Sequence, residues 1–167
     1  IEMVRRLEQE EIEDYRIMAI DAAAHMLETA RYNLAINETY EKVQLAQEDA
    51  KATSFDSEMF DAVISNSIIH HIPEPEVCLA EMVRVCKSGG LLFVRDLMRP
   101  ETDEQVRHLV QTYTGQENEH SQQMFDDSLR AALTVEEIRA FVENLGFAAD
   151  SVHASSDRHW TWVGHKT

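Results

Sequence analysis

Residues 60–96 read FDAVISNSIIHHIPEPEVCLAEMVRVCKSGGLLFVRD, and this stretch decides the fold class of the chain. Its first apolar run, 60–65, predicts a buried strand, and residues 74–86 predict a helix. A Ser-Gly-Gly turn at 88–90 comes next, followed by a second apolar strand at 91–95. A strand, a helix and a strand in this length form a crossover unit, which favours a parallel sheet.

The rest of the chain continues the alternation of helices and strands. Patterning predicts further strands at 15–20, 43–47, 148–153 and 159–164. It predicts further helices at 1–13, 22–37, 104–114, 121–132 and from behind Thr134, with a capping box to Glu137, to Gly146. This order indicates an α/β fold with a doubly wound, mostly parallel sheet, and the last two strands can close as an antiparallel hairpin.

Length and composition predict a single globular domain. A chain of 167 residues with 44% hydrophobic content can bury a sizeable core. It contains no apolar run long enough for a membrane span, and its start lacks the apolar segment of a signal peptide. Cys78 and Cys86 lie about two turns apart on one predicted helix, too far for a disulfide. We therefore expect a protein of the reducing cytoplasm.

The charge balance argues against a nucleic-acid partner. The chain carries 31 acidic and 15 basic residues, for a formal net charge of −16. Such a surface repels phosphate backbones unless a local basic patch overrides it. A local arginine pair could still hold a small anionic molecule.

The sequence of residues 60–96 resembles the second half of the class I S-adenosylmethionine-dependent methyltransferases, in the type 11 or quinone-biosynthesis-like branch. That family has a Phe-Asp-x-Val-x-Ser strand, a His-His-x-x-Asp-Pro loop and a Lys-Pro-Gly-Gly turn. Here the turn at 87–90 reads Lys-Ser-Gly-Gly. The resemblance implies a Rossmann-like fold, with one methyltransferase-like domain over 1–167 and a helical insert at 98–132 that covers the substrate pocket.

The resemblance also implies that the family's first strand is absent from residues 1–167. That strand normally ends in a Gly-x-Gly-x-Gly loop, but no glycine precedes Gly89. Two explanations stay open: an N-terminally incomplete methyltransferase domain, or a natural variant without the strand. Losing a central strand exposes the edges of its neighbours, so we expect the variant to aggregate, to swap segments with a second copy or to pair with a missing piece.

Two acids follow predicted strands and are candidates for a nucleotide site. Asp21 ends one strand, where a carboxylate can accept hydrogen bonds from both ribose hydroxyls; the alternative is a helix N-cap. Asp49 lies in a Glu-Asp-Ala sequence that resembles the family's Gly-Asp-Ala, whose acid contacts the adenine amino group. The resemblance implies an S-adenosylmethionine site with these cofactor-binding residues: Asp21, Ala22, Met26, Asp49, Ala50, Asn66 and Ser67.

Two adjacent histidines follow the strand at 60–65. His70 and His71 are catalytic candidates, because imidazole titrates near neutral pH and can act as a general base. The alternative is that one of them orients the loop or packs under the cofactor. Adjacent histidines on an extended loop point apart and no acid-rich ligand set accompanies them, so we expect no metal site.

Three basic residues beyond the next strand are candidates for substrate contacts. Arg95 and Arg99 could bind a carboxylate or a phosphate, and His120 lies in the predicted covering insert. The alternative for the arginines is an ordinary cluster of surface ion pairs.

These residues lead to one main hypothesis and two alternatives. The main hypothesis is methyl transfer from S-adenosylmethionine to a small-molecule acceptor, in a protein that can be a homo-oligomer. The first alternative is a non-catalytic scaffold or regulatory protein that keeps the methyltransferase fold. The second is a nicotinamide-dependent oxidoreductase, which the sequence around Asp49 and the histidine pair disfavours. The sequence specifies neither the methyl acceptor nor the atom that is methylated.

Overall fold

The computed structural model describes all of residues 1–167, which form two compact units, Ile1–Ser54 and Phe55–Thr167. The first unit contains two helices and two strands: α1 (Glu2–Gln9), β1 (Ile17–Asp21), α2 (Ala24–Ile36) and β2 (Val43–Gln47). Strands β1 and β2 pair in parallel, from Ile17 opposite Val43 to Asp21 opposite Gln47. Whether the two units make one domain stays a prediction.

The core of the first unit is small. Val4, Leu34 and Val43 are buried in it, and partly buried side chains of both strands pack around them. Helix α1 ends at Gln9, four residues earlier than predicted, and Glu11 has a positive φ of 57°. Acidic residues crowd positions 10–14, at the helix end where the helix dipole is negative, so a longer helix would be unfavourable.

The second unit contains four strands, four helices and two short 3-10 turns. The strands are β3 (Phe60–Asn66), β4 (Cys86–Leu97), β5 (Val152–Ala154) and β6 (His159–His165). The helices are α3 (Pro75–Val85), α4 (Asp103–Thr114), α5 (Glu119–Ala131) and α6 (Val135–Asn144), with 3-10 turns at Ile69–His71 and Ala149–Ser151. The order of the strands in the sheet is β3-β4-β6-β5.

The pairing in these sheets is less parallel than the sequence predicts. Pairs β1–β2 and β3–β4 are parallel, whereas β4–β6 and β6–β5 are antiparallel. The predicted antiparallel hairpin is present, but its last strand lies inside the sheet, between β4 and β5. Trp160, Thr161 and Trp162 are all buried, which shows that both faces of β6 are covered. The predicted α/β class and the Rossmann-like arrangement are confirmed.

The glycine pair at 89–90 lies inside β4 instead of separating α3 from it, so the predicted turn is wrong as a boundary. The β3–β4 register jumps here, from Phe60 opposite Cys86 to Ala62 opposite Leu91. Gly89 has a φ of +78° and its N–H donates to the carbonyl of Lys166. The extra residues therefore form a bulge that is held from the other side by the C-terminal segment.

The helical boundaries that carry capping signals are confirmed. Thr134 and Glu137 form the predicted capping box at the start of α6, and Gly146 follows that helix with a φ of +87°. Both helices predicted within 98–132 are present, as α4 and α5, which pack over Leu97. No helix in the chain has both the length and the apolar character that crossing a membrane requires.

Candidate functional site

Asp21 and Asp49 lie at the same edge of the first unit. Asp21 is the last residue of β1 and pairs with Gln47, the last residue of β2, two positions before Asp49. The Gln47 side-chain amide donates to the Ala22 carbonyl at 3.0 Å, and the Glu48 N–H donates to the Asp21 carbonyl at 3.2 Å. These cross-links hold the two strand ends together, so the structure brings the predicted ribose and adenine contacts to one place.

The Asp21 carboxylate is held by one oxygen and free at the other. Its Oδ1 accepts the N–H of Ala23 at 2.8 Å, whereas Oδ2 has no partner in the protein. Helix α2 begins at Ala24 and its N-cap is Ala23, so the alternative of Asp21 as the N-cap is wrong. A fixed, half-exposed carboxylate with a free oxygen suits a ligand that presents hydroxyl donors. Asp21 therefore fits the ribose of a nucleotide cofactor.

The loop that carries Asp49 is braced from within. Asp49 Oδ1 accepts the N–H of Lys51 at 2.9 Å. The Glu48 carboxylate, which stands where the family has glycine, accepts both the N–H and the hydroxyl of Ser54, at 2.9 and 2.5 Å. Because Glu48 turns into its own loop, its side chain stabilises the turn, and the Asp49 side chain remains exposed.

The other predicted cofactor contacts divide between the two units. Ala22 and Met26 are exposed at the start of α2, and Ala50 is half-buried beside Asp49. Asn66 and Ser67 are exposed at the carboxyl end of β3, in the second unit. Ser67 has a positive φ of 59°, and its N–H donates to the Arg95 carbonyl at 2.9 Å. The chain therefore turns sharply where the loop of the two histidines begins.

A buried carboxylate on β4 organises that loop. Asp96 Oδ2 accepts the N–H groups of Ile68 and Ile69, at 2.8 and 2.6 Å. Its Oδ1 accepts the N–H of Leu97 at 2.6 Å and contacts His70 Nδ1 at 2.5 Å. The His70 and Asp96 side chains are only 5% and 1% exposed. Backbone N–H groups can only donate, so both carboxylate oxygens act as acceptors here.

The His70–Asp96 contact determines which ring nitrogen of His70 carries a proton. With an acceptor facing Nδ1, this nitrogen must be the N–H donor. In the neutral ring the lone pair is therefore on Nε2, which has no partner in the protein. A carboxylate that fixes the histidine tautomer in this way leaves the lone pair of Nε2 available to accept a proton.

A cavity of about 280 Å³ lies beside the two histidines. His70 and His71 line it, and their rings are 3.9 Å apart, centre to centre. The other walls are apolar: Ile69, Ile72, Pro73, Pro75, Ala131 and Leu133. Partial burial, and then the neighbouring His70, lower the pKa of His71, while Asp96 opposes this shift. The cavity thus combines apolar walls with two imidazoles.

The three predicted substrate residues are not brought together. Arg95 donates to His159 Nδ1 at 3.1 Å, while Arg99 pairs with Glu137 at 2.6 Å and donates to the Ala132 carbonyl. His120 is exposed in the first turn of α5 and does not line the cavity beside the two histidines. The ion-pair alternative therefore describes Arg99 as the structure has it, and substrate roles for these three residues stay predictions.

Asp96 is the residue of this region that the sequence analysis passed over. Its neighbours are the basic Arg95 and the apolar Leu97, at the end of an apolar strand. Nothing in this local pattern distinguishes Asp96 from an acidic residue on the surface. The available signal was its position at the carboxyl end of a strand next to β3, where side chains of α/β folds meet ligands.

The stability of the second unit should increase with pH between about 5.5 and 7.5. Burial, and then Arg95 and Arg158, lower the pKa of His159, and the pKa of His71 is lowered as described above. Near the unperturbed histidine pKa of about 6.5 the unfolded chain thus binds more protons than the folded chain, so acid favours unfolding. Both tryptophans belong to this unit, so their fluorescence in urea titrations at several pH values reports the trend.

A double variant provides the control for this pH dependence. In His71→Asn/His159→Asn neither side chain can titrate, and the dependence between these pH values should become flatter. A wild-type slope that persists unchanged in the double variant would contradict the assignment to these two histidines.

Comparison with known proteins places these features in a family. A family model described as a methyltransferase domain matches residues 2–94. Phosphatidylethanolamine N-methyltransferase of Cereibacter sphaeroides is 35% identical over 78 residues, which cover 47% of this chain and 38% of that protein. Demethylmenaquinone methyltransferase of Desulfitobacterium hafniense is 31% identical over 88 residues, 53% of this chain and 35% of that protein. The chain thus matches well under half of the length of these two relatives.

A solved structure supports the same fold. An S-adenosylmethionine-dependent methyltransferase from Aquifex aeolicus superposes with a TM-score of 0.65 at 14% identity, over 96% of this chain and 73% of that one. At this identity the likeness concerns the fold alone. The match to the family model covers more than half of the chain. The chain therefore belongs to the methyltransferase-domain family, among the class I S-adenosylmethionine-dependent methyltransferases.

Proposed function

We propose that this chain forms the S-adenosylmethionine-binding part of an enzyme that transfers a methyl group to a small-molecule acceptor. The observation that carries the proposal is the pair of acids, Asp21 and Asp49, on cross-linked strand ends of the first unit. Carboxylates at the carboxyl ends of neighbouring parallel strands are suited to binding a nucleotide.

Each predicted cofactor residue has a role in this proposal. The free Oδ2 of Asp21 accepts from the ribose hydroxyls, and the exposed Asp49 carboxylate accepts from the adenine amino group. Ala22, Met26 and Ala50 supply apolar contacts, and the backbone at Asn66 and Ser67 faces the methionine portion. The bound cofactor supplies an electrophilic methyl group, so the protein's main tasks are to align the acceptor and to exclude water.

The acceptor is proposed only as a class at this stage. Phosphatidylethanolamine N-methyltransferase and demethylmenaquinone methyltransferase are named for different acceptors, so relatedness does not select one. Helices α4 and α5 cover the acceptor in this proposal, and Arg95, Arg99 and His120 remain candidates for contacting it.

Calorimetric titration of the full-length protein with S-adenosylhomocysteine tests the cofactor site. Asp21→Ala removes the acceptor of up to two hydrogen bonds to a charged group, each contributing about 1.5–3 kcal/mol. We expect the dissociation constant to increase roughly 10- to 100-fold.

Asp14→Ala is the matched control, because it removes the same charge from an exposed position of the same unit and should leave the affinity unchanged. Equal affinities of wild type and Asp21→Ala would overturn the proposed ribose contact. Absence of binding by the wild type would favour the scaffold alternative, and preferential binding of a nicotinamide cofactor would favour the oxidoreductase.

A further inference from the structure

The cavity beside His70 has a composition that selects among methyl acceptors. Six of its eight lining residues are apolar, and the two polar ones are His70 and His71. Helices α3 and α5 pack against the 3-10 turn of the histidines, and they contribute only Pro75 and Ala131 to the cavity, neither of which carries a charge. The titratable side chains that line this cavity or contact the His70 ring are His71 and Asp96.

No residue that lines the cavity carries a negative charge. The one nearby carboxylate, Asp96, is buried behind His70 and already accepts three backbone N–H groups besides contacting the ring. An ammonium group that loses hydration on entering this cavity gains no counter-ion in return, which is a cost in free energy. A neutral hydroxyl has no such cost and can donate its proton to a nitrogen lone pair.

The only polar atom of the His70 side chain that is not occupied by Asp96 is Nε2. Asp96 occupies Nδ1 and fixes the tautomer in which Nε2 carries the lone pair. A histidine side chain within hydrogen-bond reach of a hydroxyl can act as its general base during methyl transfer. An engineered protein cavity of about 150 Å³ holds benzene, so about 280 Å³ accommodates a substituted single ring.

We propose that this cavity receives the phenolic hydroxyl of a neutral, apolar acceptor, and that His70, positioned by Asp96, takes the hydroxyl proton during methyl transfer. The O–H bond breaks, its proton moves to His70 Nε2, and an oxygen electron pair forms the new bond to the methyl carbon. The carbon–sulfur bond breaks with its electron pair staying on sulfur, which becomes a neutral thioether. This inference rests on the proposed function, because it needs the bound methyl donor.

Two probe molecules of equal length distinguish the acceptor classes. 4-Ethylphenol presents a neutral hydroxyl on an apolar ring, and phenethylamine presents an ammonium on a similar frame. With the full-length protein saturated with S-adenosylhomocysteine, 4-ethylphenol should shift the ¹⁵N resonance of His70 Nε2, and phenethylamine should not. With S-adenosylmethionine, mass spectrometry should detect 4-ethylanisole.

His70→Asn separates catalysis from structure. The Asn side-chain amide can still donate to Asp96 at the position of Nδ1, so the loop should keep its anchor, but the basic Nε2 is gone. We expect the rate of 4-ethylanisole formation to fall at least about 100-fold. Urea unfolding and the affinity for S-adenosylhomocysteine should stay close to wild type.

The outcomes separate this inference from the proposed function. If S-adenosylhomocysteine does not bind, the proposed function fails. If it binds but 4-ethylphenol is neither bound nor methylated, or if phenethylamine is the better acceptor, the phenol assignment is wrong. If His70→Asn methylates 4-ethylphenol at the wild-type rate, His70 has only a structural role.

Discussion

Replacing Asp96 by alanine should destabilise the second unit more than any single surface change. The substitution leaves three backbone N–H groups and His70 Nδ1 without an acceptor in a buried place. Each buried donor that loses its partner costs about 1–3 kcal/mol, so we expect the free energy of unfolding to fall by roughly 4 kcal/mol or more. Urea unfolding followed by tryptophan fluorescence measures the change, and failure to fold is the extreme of the same result.

Two further variants make this expectation specific. Asp61→Ala removes a carboxylate from an exposed ion pair with Lys87 and should change the stability little. His70→Ala removes one of the four contacts of Asp96 and should lie between the two. If Asp96→Ala unfolds at the same urea concentration as Asp61→Ala, the carboxylate does not anchor the histidine loop.

Gly90→Ala should be the more damaging of two substitutions in the glycine pair of β4. A Cβ at Gly90 would lie 2.7 Å from Cys86 Sγ and 2.8 and 2.9 Å from the backbone carbonyls of Lys87 and Asp61. Backbone atoms in a paired strand cannot move aside cheaply, so we expect a loss of about 3 kcal/mol of stability. The measurement is again urea unfolding followed by tryptophan fluorescence.

Gly89→Ala is the matched comparison, one residue away. A Cβ at Gly89 meets no atom within 4 Å, so its cost is the strain of a positive φ, about 1–2 kcal/mol. If backbone conformation alone decided the loss of stability, Gly89→Ala would be more destabilising than Gly90→Ala. A larger effect at Gly89 than at Gly90 would show that backbone strain, and not crowding by neighbouring atoms, dominates this bulge.

Local patterns predicted the features of this chain that depend on neighbouring residues. The strand, helix and strand of residues 60–96 and the capping box at Thr134 follow from hydrophobic period and capping chemistry, and both are confirmed. Asp21 and Asp49 were recognisable because each ends or follows a strand, and the structure places them at one edge. Their contacts with a cofactor stay predictions.

Features that depend on distant residues were beyond the local pattern. The importance of Asp96 comes from the N–H groups of Ile68 and Ile69, which approach it only after β3 and β4 have paired. Similarly, the sequence pattern of an apolar strand such as β6 is the same whether the strand lies at the edge of a sheet or inside it. Its place between β4 and β5 depends on pairing with residues such as Leu91, far away in the sequence.

The interior position of β6 has a consequence for biosynthesis. Leu91 pairs with His165, and β5 reaches the sheet only through β6, so the sheet of this unit cannot close before β6 has been synthesised. Strand pairs between distant residues form slowly, because the entropy of closing the loop is lost before the new contacts stabilise the structure. Until β6 emerges, the apolar flank of β4 that it will cover stays open to other chains. We expect chaperone dependence during synthesis to be governed by the delay between the synthesis of β4 and that of β6.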